Sequence, residues 1–147
     1  QTGVFIRIFL NNLKVLIFSI LFSFLYGAGS IFILTWNASV IGAAMGNFIR
    51  TQLSLVAFTG GFSQLGAYFY VVSLSVIRYF IHGIHEIVSY FIAALAGGII
   101  SIAIIKHDFG TKHFERIILD ASDLLIISIF LLFVSGLLEV YVTPLFF

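Results

Sequence analysis

The chain contains no cysteine, so disulfides and thiolate metal sites are excluded and nothing follows about redox compartment. Charge is scarce as well. Only 9% of residues are Asp, Glu, Lys or Arg, where a soluble domain carries about 25%. The net charge is +1, and the basic residues are scattered, which leaves no phosphate-tracking stripe and makes nucleic acid an unexpected partner. The sequence lacks a G-x-S-x-G elbow, a glycine-rich phosphate loop followed by lysine and serine or threonine, and a serine with an evident base; Gly60-Gly61 and Gly97-Gly98 stand outside any such context. No internal repeat stands out, and the likeness between HGIHEI and GLLEVY is too short for a transporter-type duplication. The start at Gln1, without methionine or the basic, apolar and small-residue order of a signal peptide, suggests a processed or trimmed beginning.

What is present is apolar: 61% of the chain is hydrophobic and 17% aromatic. Each crossing of a ~30 Å hydrocarbon layer takes about 20 apolar residues, so this length predicts an all-α, polytopic transmembrane bundle forming a single domain over 1–147. The expected segments are five, roughly 13–36, 38–58, 67–81, 84–105 and 119–142. Lys14 and Trp36 bound the first as interfacial anchors would. Asn37 follows and suits the cap of the second helix, whose orphan amides its side chain can accept. Gly42 and Gly46 form a G-x-x-x-G pattern that admits close helix approach; it reads first as ordinary packing inside the bundle, and otherwise as a dimer face. Ala93, Gly97 and Gly98 offer similar contacts within the bundle or between protomers.

FTGGFSQLG, Phe58 to Gly66, reads as a loop. From Ala67 to Ile105 the chain then stays apolar apart from Arg78 to Glu86, and as helix it would be ~59 Å long, about twice the hydrocarbon thickness. A hairpin or re-entrant break near His82-Gly83 resolves the excess. With a hairpin, Arg7, Lys14 and Arg50 share a side with Lys106, Lys112 and Arg116, and the positive-inside bias makes that side, and the amino terminus, cytoplasmic in a multi-pass protein of the cell membrane. KHDFGTKHFER, Lys106 to Arg116, is the polar loop, with His107 and His113 solvated. Asp120 and Asp123 suit the first turn of the last span, and Thr143-Pro144 ends it. Asn37-Ala38-Ser39 matches a glycosylation acceptor by chance, since a turn pressed against the bilayer is a poor substrate.

The stretch RYFIHGIHEIVSY places Arg78, His82, His85 and Glu86 in apolar surroundings, and Glu139 lies near the end of the last span. A charge near the bilayer centre costs at least ~2.5 kcal/mol, so such residues face a partner or a wet cavity. If helical, His82 and Glu86 share a face, as do His82 and His85. Three readings stand. Arg78 could pair with Glu86 or Glu139 and fix the fold, the histidines bonding to carbonyls. His82, His85, Glu86 and Glu139 could serve as nitrogen and oxygen ligands suited to zinc, although H-x-x-H-E is not H-E-x-x-H. The same cluster could form a proton or ion path. No other cofactor is implied.

Three blocks carry a family resemblance: IFLNNLKVLIFSILFSFLYGAGSIFILTWNASVIG, YFIHGIHEIVSYFIAALAGG and GLLEVYVTP. Through Asn11-Asn12, the H-G-x-x-E of His82 to Glu86 and the E-x-x-x-T-P of Glu139 to Pro144, the chain resembles the stage II sporulation protein M family, its archaeal members more than its spore-forming ones. The resemblance implies a polytopic membrane protein. In spore formers it implies a scaffold of the engulfment machinery beside two peptidoglycan-cleaving partners, and no enzymatic activity of its own. An archaeal member would lack that wall, so the resemblance implies a membrane scaffold whose partners are the bilayer and other membrane proteins or further copies of itself. Where the family commonly has asparagine-glycine after the first span, this chain has Asn37-Ala38, which removes the residue suited to a positive-φ turn.

Overall fold

A computed structural model of the chain describes residues 1–59, 64–106 and 109–146, which are almost wholly helical, with no strand among them. Four long helices carry the fold: α1 (Thr2–Tyr26), α2 (Ser30–Thr59), α3 (Gln64–Ile105) and α4 (Lys112–Leu137). The last continues through a π-helical turn, Leu138–Val142, into the short α5, Thr143–Phe146. The four are long and apolar enough to cross a membrane.

The all-helical architecture follows from composition, but the division into five segments does not match the described residues. No break occurs at His82-Gly83: α3 is one helix of 42 residues, ~63 Å long. Gly83 lies within the helix, and among the described residues the glycines with positive φ are Gly27 and Gly110. A single glycine costs a helix only about 1 kcal/mol. Arg78, His82 and Glu86, each four apart, line up on one helical face, where neighbouring helices supply partners. These side chains therefore need no turn to escape the apolar layer.

The first turn also lies elsewhere. Asn37 is inside α2, and the chain reverses at Gly27–Gly29. Gly27 adopts φ 58° and its amide donates to Ser23 O at 2.9 Å. At Gly29 a Cβ would stand 2.8 Å from Phe22 O, so both glycines are needed for so tight a reversal. The last helix begins earlier than expected, because Thr111 caps it: its Oγ1 accepts from the Phe114 amide at 3.1 Å. Glu115 occupies the first turn, while Asp120 and Asp123, expected there, are exposed further along. His113 is exposed on the first turn; His107 and the pair Gly60-Gly61 lie outside the described residues.

Helix α3 is the axis of the bundle, with α1 parallel to it and α4 antiparallel. Its buried seam repeats every seven residues, as Ser75, Ser89, Ala96 and Ala103, with His82 in the same register. Helix α4 repeats Ala121, Ser128 and Ser135, all fully buried. A period near 3.5 built from small residues brings helices together closely where lipid offers no competing hydrophobic drive. Hydroxyls then bridge the backbones. Ser89 Oγ donates to Ser128 O at 2.7 Å and Ser128 Oγ returns the bond to Ser89 O at 3.0 Å. Between α1 and α3, Ser23 Oγ donates to Ala94 O at 2.6 Å and Ser101 Oγ to Phe24 O at 2.7 Å.

The expected packing glycines divide into two groups. A Cβ on Gly97 would stand 2.7 Å from Ile20 O and one on Gly98 3.2 Å from Ser23 Oγ, so these two seat α1 on α3. A Cβ on Gly42 or Gly46 would meet nothing within 4 Å among the described residues, so neither glycine seats another helix there. They lie on α2, whose best membrane-spanning window has none of its residues buried. The basic residues divide as well. The pairing of α1 with the middle and end of α3 sets Arg7 toward the start of α3, whereas Lys106, Lys112 and Arg116 flank its other end. The shared side assumed for a cytoplasmic amino terminus is therefore absent, and the charge count no longer selects an orientation.

Candidate functional site

Beside the middle of α3 the three blocks that carry the resemblance come together. Asn12 of α1 donates from Nδ2 to Glu86 Oε1. Ser135 Oγ of α4 lies 2.9 Å from His82 O and 3.3 Å from the same Glu86 oxygen. A hydroxyl carries one hydrogen, so the shorter contact to His82 O takes most of it, and Asn12 is the principal donor to Glu86. Glu86 is only 7% exposed.

The π-helical turn brings in the third block. By accommodating an extra residue it shifts the register of the α4 face, and it carries Glu139 in its first turn. Thr143 Oγ1 donates back to Leu138 O at 3.0 Å and stands 3.5 Å from His82 Nδ1. With its hydrogen spent on Leu138, the threonine oxygen can only accept. That favours the tautomer of His82 with hydrogen on Nδ1, leaving Nε2 as acceptor.

Two adjoining cavities open here. The larger, about 480 Å³, lies between α1, α2 and α3 and is lined by Arg7, Asn11, Asn12, His82, Glu86 and Glu139 among others. The second, about 440 Å³, shares Tyr79, His82 and Glu139 and adds Arg78 and Thr143. Glu86, Glu139 and His82 thus line one cleft.

The expected partnership of Arg78 with a glutamate takes a different form for Glu86, whose donors among the described residues are the amide of Asn12 and the hydroxyl of Ser135. The Arg78 guanidinium lies over the Phe48 ring, 4.8 Å from its centroid, a cation–π contact that joins α2 to α3. His85 turns its Nδ1 to Ile81 O of its own helix at 3.1 Å. No three His, Cys, Asp or Glu side chains among the described residues are grouped so that they could hold a metal ion.

Sequence reasoning from the residues alone did not single out Ser135, and it read Asn37 as a helix cap and not as a residue of this cleft. The signal for Ser135 was its spacing of seven from Ser128, which marks a buried seam. Asn37 lines the cleft, and its Nδ2 is buried without a hydrogen-bond partner.

No curated protein and no solved structure matches the chain. The family model described as stage II sporulation protein M matches residues 1–144, a stretch that contains all three converging blocks. With its membrane-capable helices, the chain is a membrane protein belonging to the stage II sporulation protein M family.

Proposed function

We propose that the protein is a multi-pass, non-enzymatic assembly component of the membrane that associates with a second copy of itself through the outer face of α2. The observation that supports this reading is the open space over Gly42 and Gly46. In lipid, association relies on close backbone contact and not on hydrophobic drive, and G-x-x-x-G is the pattern that permits it. The glycines at Gly97 and Gly98 are occupied by α1; those on α2 are not occupied within the chain. The first turns of α3 add exposed Leu65, Tyr68, Phe69 and Tyr70, apolar surface for a neighbouring protomer or lipid.

Energy transfer between donor- and acceptor-labelled copies, measured on dilution in liposomes, tests the reading. The wild type should show concentration-dependent transfer, and Gly42→Leu/Gly46→Leu should weaken self-association at least tenfold while the monomer keeps its stability. A wild type without such transfer, or a variant that associates equally well, contradicts the proposal.

An ion or small-solute carrier is the second reading. The polar cleft beside α3 favours it.

A further inference from the structure

We infer that the cleft between α1, α2 and α3 binds a small zwitterion, a molecule carrying a primary ammonium beside an anionic group. The inference is independent of the α2 contact, which lies on another face.

The acceptors come first. Glu86 lines the cleft, and Asn12 and Ser135 both address the same one of its oxygens, Oε1. Glu139, half-buried, lines both cavities. Two carboxyl groups on one cleft favour a compact donor with several N–H groups and a positive charge. An ammonium group, with three donors, meets that need.

The other wall sets the second half of the ligand. A bare cation is opposed by Arg7, which lines the same cavity. A bare anion is opposed by the two glutamates. A ligand with both charges satisfies both walls, its ammonium toward Glu86 and Glu139 and its anionic end toward Arg7 and the amide of Asn11. A cavity of about 480 Å³ suits something of the size of an amino acid or phosphoethanolamine. The same chemistry is found in a free solute and in the headgroup of an aminophospholipid.

Calorimetry on the full chain in phosphatidylcholine nanodiscs, whose headgroup has no N–H, tests this with phosphoethanolamine and alanine as probes and with ethanolamine and inorganic phosphate as single-charge controls. At least one zwitterion should bind saturably and at least tenfold more tightly than either control. Glu139→Gln and Arg7→Gln should each weaken it at least tenfold without moving the melting temperature, since neither side chain holds the Asn12, Glu86 and Ser135 contacts. Nanodiscs containing phosphatidylethanolamine identify the source: a tenfold loss of probe affinity there, and not with phosphatidylglycerol, assigns the site to the lipid headgroup, and unchanged affinity in both assigns it to a free solute. The inference is overturned if neither zwitterion binds, if ethanolamine or phosphate alone binds as well, if both variants bind normally, or if phosphatidylglycerol competes equally.

Discussion

Asn12→Leu lowers the unfolding free energy in mixed micelles by about 3 kcal/mol, the cost expected when one partner of a buried charged hydrogen bond is removed and the other remains. The amide of Asn12 is the principal donor to Glu86, and the Ser135 hydroxyl, closer to His82 O than to the carboxylate, cannot replace it. The double variant Asn12→Leu/Glu86→Leu removes both sides of the interaction and should recover a large part of the loss, because a pair replaced by apolar groups leaves nothing buried and unsatisfied. The cycle therefore shows a favourable coupling between residues far apart in sequence. Equal, additive losses in the two single variants would mean that the amide does not hold the carboxylate.

Gly97→Leu produces the other large effect. A Cβ at that position already meets the Ile20 carbonyl oxygen at 2.7 Å. The obstacle is backbone and cannot rotate aside, so α1 must lift from α3. As it does so, the hydrogen bonds of Ser23 to Ala94 O and of Ser101 to Phe24 O lengthen together. The expected loss is about 3 kcal/mol, the upper end for an overpacked interior. Retention of wild-type stability in equilibrium unfolding would contradict the close seating of α1 on α3. The two glycine pairs thus differ in surroundings: Gly97 and Gly98 seat α1 within the bundle, whereas a Cβ on Gly42 or Gly46 would meet nothing within 4 Å.

Much of the architecture was legible because hydropathy and scarcity of charge act through the bilayer and do not depend on tertiary detail. The polar cluster around Glu86 and Glu139 was proposed from the cost of leaving ionisable groups in an apolar layer, but the hairpin that was to bring the two to one depth is absent from α3. The helix boundaries were not legible. Trp36 and Asn37 looked like the end of one span and the cap of the next, yet Gly27 and Gly29 supply the positive φ and the close backbone approach that a reversal needs. At His82-Gly83 the excess length of the apolar stretch pointed to a break, whereas the spacing of Arg78, His82 and Glu86 by four was the better signal: it is the spacing of side chains on one helical face. Asn12 and Ser135 could not be assigned as partners of Glu86 from sequence, because nothing local links residues on three different helices. The divided glycine pairs were illegible for the same reason.

The cleft exists only if α3 passes through His82-Gly83 unbroken, so that Glu86 stands between Asn12 of α1 and the end of α4. Leu65 and Ile105, 68% and 71% exposed, mark the two ends of that helix and can carry spin labels through introduced cysteines in a chain that has no native ones. Pulsed dipolar spectroscopy on the reconstituted protein should give a label separation of about 60 Å, the length of forty helical rises. A separation below about 30 Å, as a hairpin turning at Gly83 would give, contradicts the account.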